Sequence, residues 1–118
     1  MFSLEVFKNY CLSKKGVTEC FPFDNETLVF KVSTKMFALT NITNPVLEVN
    51  LKCEPFMSED LRRNYDAIKP GYHMNKKHWN TIVIDGSIPD EKILFLVDLS
   101  YELVYKRLTR SEKEALEN

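Results

Sequence analysis

Between Lys69 and Asn80 the chain gathers the side chains best suited to a polyanion. Lys69, Lys76 and Lys77 supply positive charge, and no acidic residue stands between Asp66 and Asp85. Ammonium groups neutralise phosphates, Asn75 and Asn80 can donate and accept at base edges, and the rings of Tyr72 and Trp79 can stack on an exposed base. His78 adds charge below about pH 6.5, and Lys35 extends the set if its segment lies alongside. Each of these residues also has a plainer reading. Trp79 alternates with Thr81 and Val83 and can face the core, as can Tyr72, because aromatic rings dominate cores. Lys76 and Lys77 can be an ordinary solvated turn. The patch reading requires Lys31, Lys35, Lys69, Lys76 and Lys77 to share one face.

Other chemistries find less support. His73 and His78, with Cys53 or Asp85 as a third ligand, could approach across a turn, but no cysteine or carboxylate stands at a recognisable ligand spacing. Cys20 or Cys53 with a histidine could be read as nucleophile and base. The chain has no nucleophile elbow or phosphate loop, and its three glycines, Gly16, Gly71 and Gly86, offer little for a nucleotide cradle. No enzymatic activity, cofactor, metal or small-molecule ligand is expected.

The formal net charge is −1, with 16 basic and 17 acidic side chains. That balance argues against indiscriminate coating of DNA, whose affinity comes largely from counterion release. The distribution is uneven, since residues 85–105 hold Asp85, Asp90, Glu91, Asp98 and Glu102 against Lys92 alone. Two partner classes remain: DNA held weakly and with strong salt dependence, or another protein bound through the acidic helix or a sheet face. Cys11, Cys20 and Cys53 are scattered and odd in number, which suits reduced thiols and a cytoplasmic setting. No apolar run approaches the roughly 20 residues of a membrane span.

The elements that must position these residues follow from periodicity. Residues 2–13 carry apolar groups at helical spacing, ending near Gly16. Thr27–Val32 and Lys35–Thr40 read as a hairpin turning at Ser33-Thr34, and residues 46–53 alternate as a half-buried strand. Pro55 opens a helix expected to reach about Ala67, and Pro70-Gly71 bars its continuation. Tyr72–Met74 and His78–Asp85 read as strands around Asn75-Lys76-Lys77. A long helix follows Pro89, with Ile93, Leu94, Leu96, Val97, Tyr101 and Val104 on one broad face. Ser111-Glu112-Lys113-Glu114 fits a capping box for a short last helix. The predicted fold is α+β, in the order α-β-β-β-α-β-β-α with one more short helix allowed. A mainly antiparallel sheet of five to six strands carries its helices on one face. At 118 residues there is room for one domain, 1–108, with 109–118 a short helix or tail.

In that order the chain resembles the MmcQ/YjbR-like family of small bacterial proteins. The resemblance rests on Phe21-Pro22-Phe23, Thr27–Val32 followed by Lys35-Met36-Phe37-Ala38, Asn50-Leu51-Lys52-Cys53, and above all the segment from Pro70 to Thr81. It closes with Ile88-Pro89-Asp90 and with Asp98–Val104. The resemblance implies a fold similar to the bacterial frataxin CyaY and a DNA-binding role for two β-hairpin wings. Here these would be residues 27–40 and 72–85. Frataxin-like iron handling needs an acidic first helix, whereas residues 2–13 contain only Glu5.

Overall fold

A computed structural model describes residues 2–71 and 74–117. Its first helix, α1 (Leu4–Leu12), starts where the Ser3 hydroxyl accepts the Val6 N–H at 3.2 Å, and it buries Phe7 and Cys11. Gly16 then turns the chain at a φ of +76°, a conformation that favours glycine. Strand β1 (Val17–Cys20) follows at the sheet edge. Sequence pattern did not predict it, because four residues half-exposed on an edge carry almost no apolar alternation. Next come β2 (Thr27–Val32), β3 (Lys35–Asn41) and β4 (Glu48–Lys52), then α2 (Pro55–Asn64). Helix α2 stops three residues before the predicted end, at extended Tyr65 (φ −132°), freeing Ile68 to enter the sheet.

The last hairpin pairs β5 (Ile68–Pro70) with β6 (Trp79–Val83). The predicted first strand therefore lies earlier, before Gly71 rather than after it; Tyr72 and His73 are outside the described residues. Helix α3 (Asp90–Lys106) and helix α4 (Arg110–Glu117) complete the chain. The capping box of α4 is formed by Thr109 and Glu112, not by Ser111 and Glu114. The Thr109 hydroxyl accepts the Glu112 N–H at 3.1 Å, and the Glu112 carboxylate accepts the Thr109 N–H at 2.9 Å.

The six strands form one antiparallel sheet in the order β1-β2-β3-β4-β6-β5. Phe7 and Cys11 of α1, Leu61 of α2, and Ile93, Leu96, Val97 and Val104 of α3 share one core with Leu28, Phe30, Val49, Leu51 and Ile82. Among the described residues, the opposite face carries a small apolar cluster of Val29, Leu39 and Trp79, flanked by Cys20, Met36 and Met74.

A bulge decides which β3 side chains reach which face. Phe30 pairs with Ala38 and Lys31 with Met36, so Phe37 has no partner on β2. Phe37 and Ala38 can then both enter the helix-side core, while Met36 and Leu39 stay on the open face. The interrupted ladder is repaired by Ser100 of α3, which is fully buried. Its hydroxyl donates to the Phe37 carbonyl and accepts the Lys52 N–H at 2.8 Å.

Candidate nucleic-acid interface

Strand register places both hairpin turns at one end of the sheet. Val32 faces Lys35 across the Ser33-Thr34 turn, Ala38 faces Leu51, Lys52 faces Trp79, and Pro70 faces Asn80. The C-terminal half of α3 reaches the same end, since Ser100 bonds Phe37 and Lys52, and Tyr101 packs edge-on against Phe37 at 5.4 Å. Lys31, Lys35, Lys52, Lys76, Lys77 and Arg107 thus gather there. The other end carries Asp24 and Glu26 before β2, Glu48 at the start of β4, Asp85 after β6, and Asp90 and Glu91 at the start of α3. The separation is partial, because Glu54 follows β4 and Glu112 reaches the Ser33-Thr34 tip at the basic end.

Sequence reasoning missed two members of this group. Lys52 projects onto the open face beside Trp79, and Arg107 caps α3. Burial depresses the Lys52 ammonium pKa, and the neighbouring Arg107 and Lys35 cations depress it further. Among the described residues, none of these three has a carboxylate partner within ion-pair distance. Lys52 could not be picked out beforehand, because its strand alternates as any half-buried strand does.

The predicted residues divide sharply. Lys35 and Lys77 are exposed at the basic end. Lys76 is exposed too, but its ammonium donates to the Gly71 carbonyl at 3.1 Å. Asn75 is a turn former, its side-chain oxygen accepting the Lys77 N–H at 3.0 Å and its carbonyl accepting from His78 and Trp79. His78 is half-buried, and its carbonyl ties the turn to the end of β4 by accepting the Cys53 N–H at 2.7 Å. Lys69 departs from the patch, because it faces Thr81 in mid-strand and lies in the field of Asp85.

Two readings are corrected outright. Asn80 is buried under α2, where its carbonyl oxygen accepts the Arg62 Nε–H at 2.7 Å and its amide donates to the Ser58 hydroxyl at 3.1 Å. It cannot reach a base edge. Trp79 is 6% exposed and packs against Val29 and Leu39, so it offers no stacking surface. Tyr72, the other stacking candidate, and His73 lie outside the described residues.

The first hairpin tip is also less open than a wing would be. The Ser33 and Thr34 hydroxyls both donate to the Glu112 carboxylate of α4, at 3.1 and 3.0 Å. Of the histidine–thiol and metal combinations, those with His73 lie outside the described residues, while Cys53 stands beside His78 through its N–H. Burial raises the Cys53 thiol pKa, which disfavours the nucleophilic thiolate. Asp85 lies beyond the far end of five-residue β6 from His78, roughly 20 Å away at about 3.3 Å per residue. Among the described residues, no three His, Cys, Asp or Glu side chains converge on a metal-sized point, and no helix is long and apolar enough to cross a membrane.

Comparison with known proteins decides the family. A model of the YjbR family matches residues 12–103. The chain belongs to the YjbR family. It is 34% identical over 107 residues to the uncharacterized Escherichia coli K12 protein YjbR, covering 91% of each chain. It is 36% identical over 110 residues to the uncharacterized protein YbdF of Escherichia coli O157:H7, covering 93% of this chain and 90% of that one. Among solved structures, a Deinococcus radiodurans protein with a DUF419 domain superposes with a TM-score of 0.93 at 41% identity, over 99% of this chain and 89% of the other. A Pseudomonas syringae protein gives 0.74 at 28% identity, over 86% and 98%. The family match spans all six strands, α2 and most of α3.

Proposed function

We propose that this YjbR-family chain is a non-catalytic DNA-binding protein whose contact surface is the basic end of the sheet. One observation carries the reading: Lys52 is partly buried in the field of the Arg107 and Lys35 cations, and among the described residues none of the three lies within ion-pair distance of a carboxylate. Three mutually repelling cations, one of them partly desolvated, are relieved by an anion. Lys31 and Lys77 widen the same surface, so that several phosphates of a strand could be neutralised together. Tertiary convergence replaces the hairpin tips as the basis of binding. The Ser33-Thr34 tip is occupied by Glu112, and Asn75 is consumed by its own turn.

Fluorescence anisotropy with a labelled duplex tests this. With about four phosphates neutralised, log affinity should fall against log salt with a slope near −4 between about 50 and about 200 mM salt. Lys52→Ala and Arg107→Ala should each reduce that slope by about 1, while Lys69→Ala should change it little. Absence of saturable binding at about 50 mM salt, or binding indifferent to both substitutions with the fold intact, would overturn the proposal. Such results would favour a protein-interaction module instead.

A further inference from the structure

The open sheet face holds a cleft of about 690 Å³ that runs from Met36 and Met74 to Asp24 and Glu48. Its volume lies within the range of small-molecule sites, roughly 300–1,000 Å³. Phe23, Met36, Leu39 and Met74 give it apolar surface; Asn41, Asn44, Asn50, Thr27 and Thr81 give it hydrogen-bonding groups. Among the described residues that line it, the charged ones are Asp24 and Glu48. We propose that this cleft binds a small organic amine, with its ammonium group held by Glu48 and Asp24 and its apolar body laid on Leu39, Met36 and Met74.

The two carboxylates are prepared differently for that role. Asp24 is held in place by its own loop, accepting the Glu26 N–H at 2.8 Å, the Thr27 N–H at 2.7 Å and the Thr27 hydroxyl at 3.2 Å. Those donors fix a negative charge at the rim. Glu48 opens β4 on the same face, half-buried, and its carboxylate has no cation partner among the described residues. A half-buried carboxylate over an apolar floor attracts a cation more strongly than one in open water.

The amides add direction. The Asn50 side-chain oxygen accepts the Thr81 hydroxyl at 2.6 Å, and that of Asn41 accepts the Thr43 N–H at 2.8 Å and its hydroxyl at 2.6 Å. With both oxygens engaged, the amide N–H₂ groups are the donors left to a ligand oxygen. Phe23, exposed at the rim, offers a ring face to the same cation. Among the described lining residues an anion would meet two carboxylates and no cation, which disfavours nucleic acid and carboxylate metabolites in this cleft. The site draws on residues from Phe23 to Thr81, which is why no segment of sequence announced a small-molecule ligand.

Phenethylamine and its shape-matched anion, 3-phenylpropanoate, discriminate the proposal by NMR titration of methyl-labelled protein. Phenethylamine should shift the Met36, Met74 and Leu39 methyl resonances saturably, and 3-phenylpropanoate should not. Glu48→Gln should weaken the amine about tenfold or more, the loss of one charge-assisted contact. Glu48→Lys should reverse the preference towards 3-phenylpropanoate, with unchanged resonances on the helix side reporting an intact fold. Equal response to both probes, no saturable response to the amine, or unaltered amine affinity in Glu48→Gln would overturn it.

Discussion

Arg62 clamps Asn80 from the underside of the sheet. Its Nε–H donates to the Asn80 carbonyl oxygen at 2.7 Å, while a terminal nitrogen donates to the Lys76 carbonyl and, at 3.2 Å, to that of Trp79. One guanidinium thereby joins α2, β6 and the turn that presents Lys77. Removing it would strand a buried amide beneath the helix. Arg62→Ala should cost about 2–3 kcal/mol in urea denaturation, the penalty for unpaired buried polar groups. Arg62→Lys should recover little of it, because an ammonium cannot reproduce the planar fork.

Ser100 supports the β3 bulge with both of its hydrogen-bonding capacities. Ser100→Ala should leave the Phe37 carbonyl and the Lys52 N–H unsatisfied, costing about 2–3 kcal/mol in the same assay. Amide exchange should accelerate first at Lys52. Unchanged protection at that amide would show that the hydroxyl is dispensable.

Gly71 is required for space rather than for backbone freedom. A methyl group there would sit 2.9 Å from Trp79 Cβ and 3.0 Å from the Trp79 carbonyl oxygen. Gly71→Ala should therefore push β5 away from β6 and cost about 1–3 kcal/mol, an overpacking penalty. The Trp79 fluorescence maximum should move to the red as water reaches the indole.

Docking of α4 should fail in acid. The Thr109 backbone N–H, then the Thr34 hydroxyl, then the Ser33 hydroxyl stabilise the Glu112 carboxylate and lower its pKa from 4.5 to about 2. A depressed carboxyl pKa contributes stability that is complete above the unfolded value and lost as pH falls through the folded one. The Ser33 and Thr34 amide resonances should accordingly change between about pH 4.5 and about pH 2. Glu112→Gln should abolish that titration.

Thiol reactivity should rank with exposure. Burial raises the Cys11 thiol pKa to about 12, and Cys11 is fully enclosed, whereas Cys20 is half-exposed at the sheet edge. Under native conditions a disulfide reagent should label Cys20 first, with Cys11 protected until unfolding. Labelling of Cys11 at a rate matching Cys20 would contradict the packing of α1.

The alternation of Val49, Leu51 and Cys53, the apolar stripe of α3 and the turn chemistry at Ser33-Thr34 and Asn75 were enough to settle the fold class, and the segment from Pro70 to Thr81 was enough to suggest the family. Such features are local and periodic: a side chain's face follows from its spacing along a strand or helix, whatever lies across from it. Edge strand β1 and the short β5 were not legible, because few of their residues are buried. The site was less legible still. Asn80 and Trp79 looked available in a polar, basic segment, and only strand pairing put one beneath Arg62 and the other against Leu39. Lys52 and Arg107 are 55 positions apart and meet because Ser100 holds α3 on the end of β4. Whether charges reinforce or cancel depends on distances that only strand register, the Phe37 bulge and helix packing decide.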